Sequence, residues 1–283
     1  MLAGNVVVEI RADPMRRGGR LVLQDGVESS YVDTLDPTHL EFEYLRHLAR
    51  IVDTLHPKRR PMSFVQVGGG PCALARYLDA TRKDLRAVVV ERDPVIVEIA
   101  REWLGLRTSP RLQVRIADGR DEIAKLPDAS ADVVVIDAFD GVIVPHHLVT
   151  RECVAEVRRV LRPGGVHLMN LIDIPPLDFA GAVVATLARA YRSVIALTDA
   201  ATLTRQSSGN LVLAATDAEI PYEQLARVVR LDPAPWESVW GRRLDRLVAD
   251  AEPLADDTPP THALASLSAL WGRSRDARNG RER

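Results

Sequence analysis

Ser63-Phe64-Val65-Gln66-Val67-Gly68-Gly69-Gly70-Pro71-Cys72-Ala73 decides how the rest of the chain is read. A short apolar strand, Ser63–Val67, runs into three glycines, and a helix is expected from Pro71 to about Thr81. Gly68–Ala73 fits G-x-G-x-x-G/A, in which glycines permit a tight turn and the helix N-terminus offers free N–H groups to a ligand. Alone the pattern is also compatible with a plain turn.

Working outward, strands and helices alternate. Expected strands are Arg86–Glu91, Leu112–Ile116, Asp132–Asp137, Val166–Leu171, Ser193–Thr198 and Gly209–Ala215. Helices are expected over Pro94–Leu104, His146–Leu161 (stopped by Pro163-Gly164-Gly165) and Ala180–Tyr191. Continuous apolar strands alternating with helices predict a mostly parallel sheet covered on both faces, seven-stranded in this chain. The last two strands have no long helix between them, which predicts an antiparallel pair at the sheet edge. Upstream, Asn5–Ile10 and Gly19–Leu23, with a short piece at Tyr31–Asp33, predict a small β-hairpin region, followed by a helix over Thr38–Leu55. Residues 221–250 read as further helices; Ala263–Trp271 reads as one more, and the tail 273–283 as disordered. The chain thus divides into 1–36, 37–220, a helical extension 221–272 and the tail.

Composition narrows the function class. The 283 residues carry 37 basic and 39 acidic side chains, so nothing in the net charge of -2 argues for nucleic acid. Two cysteines, Cys72 and Cys153, do not make a disulfide scaffold. There is no export signal and no membrane-length apolar run, so a cytoplasmic protein is expected, without a membrane partner. No cluster has metal-ligand spacing, and His146-His147, adjacent on a helix, would not face one ion; they are placed at a helix start near the site mouth. Cys72 at its helix N-terminus is read as a packed small residue, and Trp236, Trp240 and Trp271 as core or interface anchors.

Four features fall at four successive strand ends: Gly68-Gly69-Gly70, Glu91, Asp118-Gly119, and Asp137 with Asp140. In an open α/β sheet the carboxyl ends of the strands share one rim, so these residues should line one ligand site. Glu91 lies where an acid hydrogen-bonds ribose hydroxyls. The glycines and Glu91 suit NAD as well as an AdoMet-type nucleoside.

Taken as a set, the G-G-G turn, the acid after the second strand, Asp118-Gly119 and Asp137-x-x-Asp140 resemble the spermidine synthase (polyamine aminopropyltransferase) family. Leu161-Arg162-Pro163-Gly164-Gly165 resembles the segment before strand five in class I AdoMet methyltransferase folds. Leu21–Val27, Ser30–Asp33 and Asp36–Tyr44 resemble family segments too, the last two a branch often fused to transporter domains. The resemblance covers roughly residues 5–220.

That resemblance implies a Rossmann-like class I fold and aminopropyl transfer from decarboxylated AdoMet to a small-molecule amine, with no metal. It implies Asp137 as proton acceptor, and Asp140, Glu28 and His39 on the amine side. It implies Gly68, Gly69, Gly70, Glu91, Arg92, Asp118 and Gly119 on the nucleoside side, Glu91 at the ribose and Asp118 at the adenine amino group. A homodimer through the N-terminal region is implied as well. Three positions depart from the family. Pro71 replaces an Asp that holds the aminopropyl amine, Glu28 stands for a Gln, and Thr204–Gly209 lacks a Tyr and carries Arg205. Methyl transfer from intact AdoMet, or nucleoside binding without turnover, therefore stays open beside aminopropyl transfer; NAD-dependent oxidoreduction ranks last, with no hydride partner.

Overall fold

A computed structural model describes Leu2–Ala3 and residues 6–257. The expected helix at Ala263–Trp271 and the tail 273–283 lie outside the described residues.

Four strands open the chain: β1 (Leu2–Ala3), β2 (Val6–Ala12), β3 (Gly19–Gln24) and β4 (Val27–Asp33), joined in order as an antiparallel sheet. Asp25 and Gly26, both at positive φ, make the two-residue turn between β3 and β4, as a tight hairpin demands. Val8, Val22 and Val32 are buried from this sheet into the core that α1 (Glu43–Leu55) and the large sheet share. The α1 helix starts five residues later than Thr38. Asp36 is the reason: its Oδ1 accepts from the Thr38 N–H (3.1 Å) and hydroxyl (2.6 Å), which holds this stretch in an Asx turn outside the helix.

The main body follows as β5 (Met62–Val67), α2 (Ala73–Thr81), β6 (Leu85–Glu91), α3 (Pro94–Glu102), β7 (Leu112–Ile116), α4 (Gly119–Lys125) and β8 (Ala131–Ile136). After it come α5 (Arg151–Val160), β9 (Leu161–Asp173), α6 (Asp178–Ala190), β10 (Ser193–Thr198), α7 (Ala200–Leu203), β11 (Gly209–Thr216), α8 (Tyr222–Arg230), β12 (Glu237–Val239) and α9 (Arg242–Val248). The sheet order is β12-β10-β11-β9-β8-β5-β6-β7. Strands β5 to β9 pair in parallel, and β11, β10 and β12 close the far edge antiparallel. The doubly covered α/β fold is as expected, with eight strands in place of seven. The additional strand, β12, has three residues, too few to display a period in sequence.

Alternate residues of the sheet feed two cores. Phe64, Val89, Val133 and Leu168 pack beneath α1, α2 and α3. Val67, Val134, Ile136 and Met169 pack beneath α5 and α6. The chain runs outward from β5 through β6 to β7, and in the opposite direction from β8 to β9. This topological switch opens a crevice between the carboxyl ends of β5 and β8, where ligands of such sheets bind.

One expected helix divides in two. His146–Leu148 is a single 3₁₀ turn, and α5 begins after Thr150, whose Oγ1 accepts from the Cys153 N–H. Thr150 is an N-cap, a start signal in the middle of the predicted helix. The break sets His146 and His147 in a turn, with His147 at the rim of the crevice and His146 Nε2 2.9 Å from the Ala255 carbonyl oxygen.

Candidate active site

Gly68 leaves β5 with φ +74°, and a Cβ there would overlap the Asp137 carbonyl oxygen and Ala138 Cα. Only glycine lets the turn after β5 lie against the end of β8. Gly69 packs so closely on Val89 that a Cβ would collide with it, and Gly119 does the same on Val67. These close approaches draw four strand ends together around a cavity of about 930 Å³. Gly68, Gly70, Glu91, Arg92, Asp118, Gly119, Asp137, Asp140 and Glu28 all line it, and Gly69 lines a small cavity adjoining it beside Pro71. His39 lines neither among the described residues. Its Nε2 lies 2.8 Å from Glu41 Oε2 and its ring packs edge-on against Tyr31, so Glu41, not His39, is the group that reaches the cavity.

Glu91 closes β6 and is already oriented. One carboxylate oxygen accepts from the N–H groups of Gly69 (3.3 Å) and Gly70 (3.0 Å), the other from that of Asp93 (3.1 Å). A carboxylate has about four lone-pair positions, so one remains for a hydroxyl from the cavity. Asp118 caps α4 through Oδ1, which accepts from Arg120 and Asp121, and its Oδ2 lies 3.0 Å from His147 Nε2. Burial raises the Asp118 pKa, but the Asp121 N–H and His147 outweigh it and hold it below the usual carboxylate range. Arg92 and Asp140, expected on opposite sides of the site, pair across its mouth at 3.3 Å, both exposed.

Asp137 is different. It follows β8 directly, and among the described residues no cation pairs with it. Burial pushes its carboxyl up to about 7, against the opposing hydrogen bond from Asn170. A carboxylate with such a pKa is half ionised near neutrality and suited to accept a proton.

Sequence reasoning missed several lining groups. Tyr44, whose spacing with Leu45, Leu48 and Val52 places it on the apolar face of the expected helix, reaches the cavity from the first turn of α1, as do Glu43 and Phe42 beside it. The Tyr44 phenol makes no hydrogen bond among the described residues. Burial, and then the Asp137 charge, raise its pKa well above the ordinary value. Asn170, Asn210 and Trp236 also line the cavity, the indole Nε1 donating to Glu43 Oε2 at 3.0 Å. Among the described residues nine carboxylates line the cavity (Asp13, Glu28, Glu41, Glu43, Glu91, Asp93, Asp118, Asp137, Asp140) against two guanidinium groups (Arg11, Arg92), which favours a cationic guest. Arg205, whose charge would repel such a guest, does not line the cavity.

Cys72 sits at the N-cap of α2, wholly buried, and burial pushes its thiol up to about 12. It is a packing residue. Among the described residues no group of three or more His, Cys, Asp or Glu side chains is arranged to hold a metal ion, and no helix is long and apolar enough to cross a membrane.

The methyltransferase-domain family matches residues 65–169, the span from β5 to β9. A polyamine aminopropyltransferase of Vibrio vulnificus is 28% identical over 247 residues, 85% of this chain and 73% of the relative. That of Pyrobaculum aerophilum is 34% identical over 158 residues, 53% of this chain and 51% of the relative. A solved structure described as a probable spermidine synthase from Corynebacterium glutamicum superposes with a TM-score of 0.85 at 26% identity, over 93% of this chain and 97% of that one. The chain is similar to spermidine synthase-like proteins of the class I methyltransferase fold. That likeness extends over the N-terminal sheet as well as the large-sheet body, since little of either chain is left uncovered. In this spermidine synthase-like chain the N-terminal sheet and α1 supply one wall of the cavity and the strand ends of the large sheet the other.

Proposed function

We propose that the protein transfers an aminopropyl group from decarboxylated AdoMet to a small-molecule amine, releasing methylthioadenosine, with Asp137 accepting the proton. The observation that carries this is Asp137 itself: a recessed carboxylate with no cationic partner among the described residues and a pKa near 7, facing a cavity rich in carboxylates.

A cavity of about 930 Å³ has room for a nucleoside and an amine together. On this reading Glu91 takes the ribose hydroxyls, and Asp118 with Gly119 the base. Gly68, Gly69 and Gly70 leave room for the nucleoside to lie against the backbone, and Arg92 closes over it. Glu28, Glu41, Glu43 and Asp140 hold the charged end of the acceptor. The reaction forms a bond from the amine nitrogen to the methylene carbon beside the sulfonium and breaks that carbon–sulfur bond, its electron pair passing to sulfur. An alkylammonium near pKa 10 is no nucleophile; Asp137 removes the proton, and the partly dry cavity makes the neutral amine easier to reach. Tyr44 offers a phenol beside the same carboxylate. Cytoplasmic location and pairing of two copies through the N-terminal region belong to this reading.

One observation favours a second reading, methyl transfer from intact AdoMet. The small cavity beside Pro71 is lined by Gln24, Ser29, Ser30 and Tyr44, and among the described residues Asp137 is its sole carboxylate. The two readings separate by calorimetry with decarboxylated AdoMet, AdoMet and methylthioadenosine in parallel. Aminopropyl transfer predicts that the decarboxylated donor binds at least ten-fold tighter than AdoMet, about 1.4 kcal/mol. Equal or tighter binding of AdoMet moves the assignment to methyl transfer.

A further inference from the structure

Three side chains from three adjacent strands meet at the base of the cavity. Asp137 directly follows β8, Asn170 lies near the end of β9, and Asn210 lies at the start of β11. The parallel pairing of β8 with β9 sets Ile136 opposite Met169, and the antiparallel pairing of β9 with β11 sets Asn210 opposite Ile172. Asn170 Nδ2 donates to Asp137 Oδ1 at 2.9 Å, and Asn210 Nδ2 donates to Asn170 Oδ1 at 3.0 Å. Asn170 is 1% exposed, and its amide is engaged on both sides by these two bonds.

We propose that Asn170 and Asn210 form a positioning relay that fixes the Asp137 carboxylate and reserves its second oxygen for the proton. The direction of the chain follows from valence. An ionised carboxylate only accepts hydrogen bonds, so Asn170 must turn its NH₂ toward Asp137. Its carbonyl then faces Asn210, which must turn its own NH₂ toward it. Each amide thereby sets the orientation of the next, and such chains strengthen their members. Among the described residues Asp137 Oδ2 has no hydrogen-bond partner.

The relay rests on the proposed role of Asp137, but it makes a claim that can be tested without turnover: Asn210, which does not touch Asp137, governs how that carboxylate titrates. The hydrogen bond from Asn170 favours the ionised form, so its loss raises the Asp137 pKa. Loss of Asn210 frees the Asn170 amide to turn and raises it less. The titratable group facing Asp137 from α1 is the Tyr44 phenol; Glu91 and Asp140 lie elsewhere along the same cavity wall.

The experiment follows the Asp137 carboxyl carbon by NMR against pH in the ligand-free parent, Asn170→Leu and Asn210→Leu. The relay predicts midpoints raised by about one pH unit in Asn170→Leu and about half a unit in Asn210→Leu. If burial makes Asn170→Leu unstable, the less buried Asn210→Leu carries the test. In assays at pH 7 the relay predicts kcat reduced about three- to ten-fold in Asn210→Leu, with KM for the amine within two-fold of the parent. An unchanged Asp137 midpoint in Asn210→Leu overturns the relay, as does a raised KM at unchanged kcat, which would make Asn210 an amine ligand. A shifted midpoint in a protein with no aminopropyl transfer leaves the relay standing and removes only the reaction assigned to it.

Discussion

Asp137→Asn is expected to lower kcat by about 10²- to 10⁴-fold, the contribution of a positioned general base, while methylthioadenosine binding stays within about two-fold of the parent. Asparagine keeps the shape and the hydrogen bond to Asn170 is replaceable by its own carbonyl oxygen, but it takes no proton. In the parent, activity should rise with pH through about 7, because the carboxylate must be ionised to act and burial holds its pKa there. Stability runs the other way. A carboxyl with a pKa of about 7 in the folded chain and about 3.9 in the unfolded chain is protonated more in the folded state between those values. Folding is therefore favoured below about pH 4 and loses stability as pH rises toward and through 7. Asp137→Asn has no such loss, so it should melt higher than the parent at pH 8, with the gap closing as pH falls to 4. A variant that keeps its turnover removes Asp137 as base. One that loses turnover but shows no pH-dependent gap in melting points instead to a carboxylate less isolated than the cavity makes it.

Glu91→Ala should weaken methylthioadenosine binding by about 10- to 100-fold, from the 1.5–3 kcal/mol typical of hydrogen bonds to a charged group. The three N–H groups of Gly69, Gly70 and Asp93 hold this carboxylate in place before any ligand arrives, so little ordering opposes binding. Glu91 also braces the glycine turn, and a loss of affinity could come from the turn alone. A cycle separates the two causes. An analogue lacking the ribose hydroxyls should bind the parent more weakly than methylthioadenosine does, and Glu91→Ala should no longer distinguish the two ligands. If the variant still discriminates, Glu91 supports the turn and another group reads the ribose.

What the sequence disclosed about this site was what is local in the chain. The glycine turn, Glu91, Asp118 and Asp137 each sit at a strand end, next to the apolar run that announces the strand, and the rule that strand ends share a rim assembles them. Tyr44 was hidden because its spacing with Leu45 and Leu48 also suits an apolar helix face, and only the fold turns that ring toward the cavity. Asn170 and Asn210 are 40 positions apart in sequence; antiparallel pairing of β9 with β11, not any spacing, brings them together. His39 shows the reverse failure: the segment that resembles the family reaches the cavity, but through Glu41, Phe42, Glu43 and Tyr44, after the Asx turn at Asp36 delays α1. Thr150 could have been read as a cap, and the break before α5 with it, yet the apolar spacing of Leu148, Val149 and Val154 runs straight across it.

The central claim is the reaction, and product analysis tests it most directly. The protein is incubated with decarboxylated AdoMet and a panel of diamines and longer polyamines, and in parallel with AdoMet and the same amines, with products identified by mass spectrometry. Aminopropyl transfer predicts an amine heavier by one aminopropyl unit and an equal amount of methylthioadenosine, only from the decarboxylated donor and only when Asp137 is intact. Methylated products from AdoMet, or no product from either donor with any amine, would contradict it.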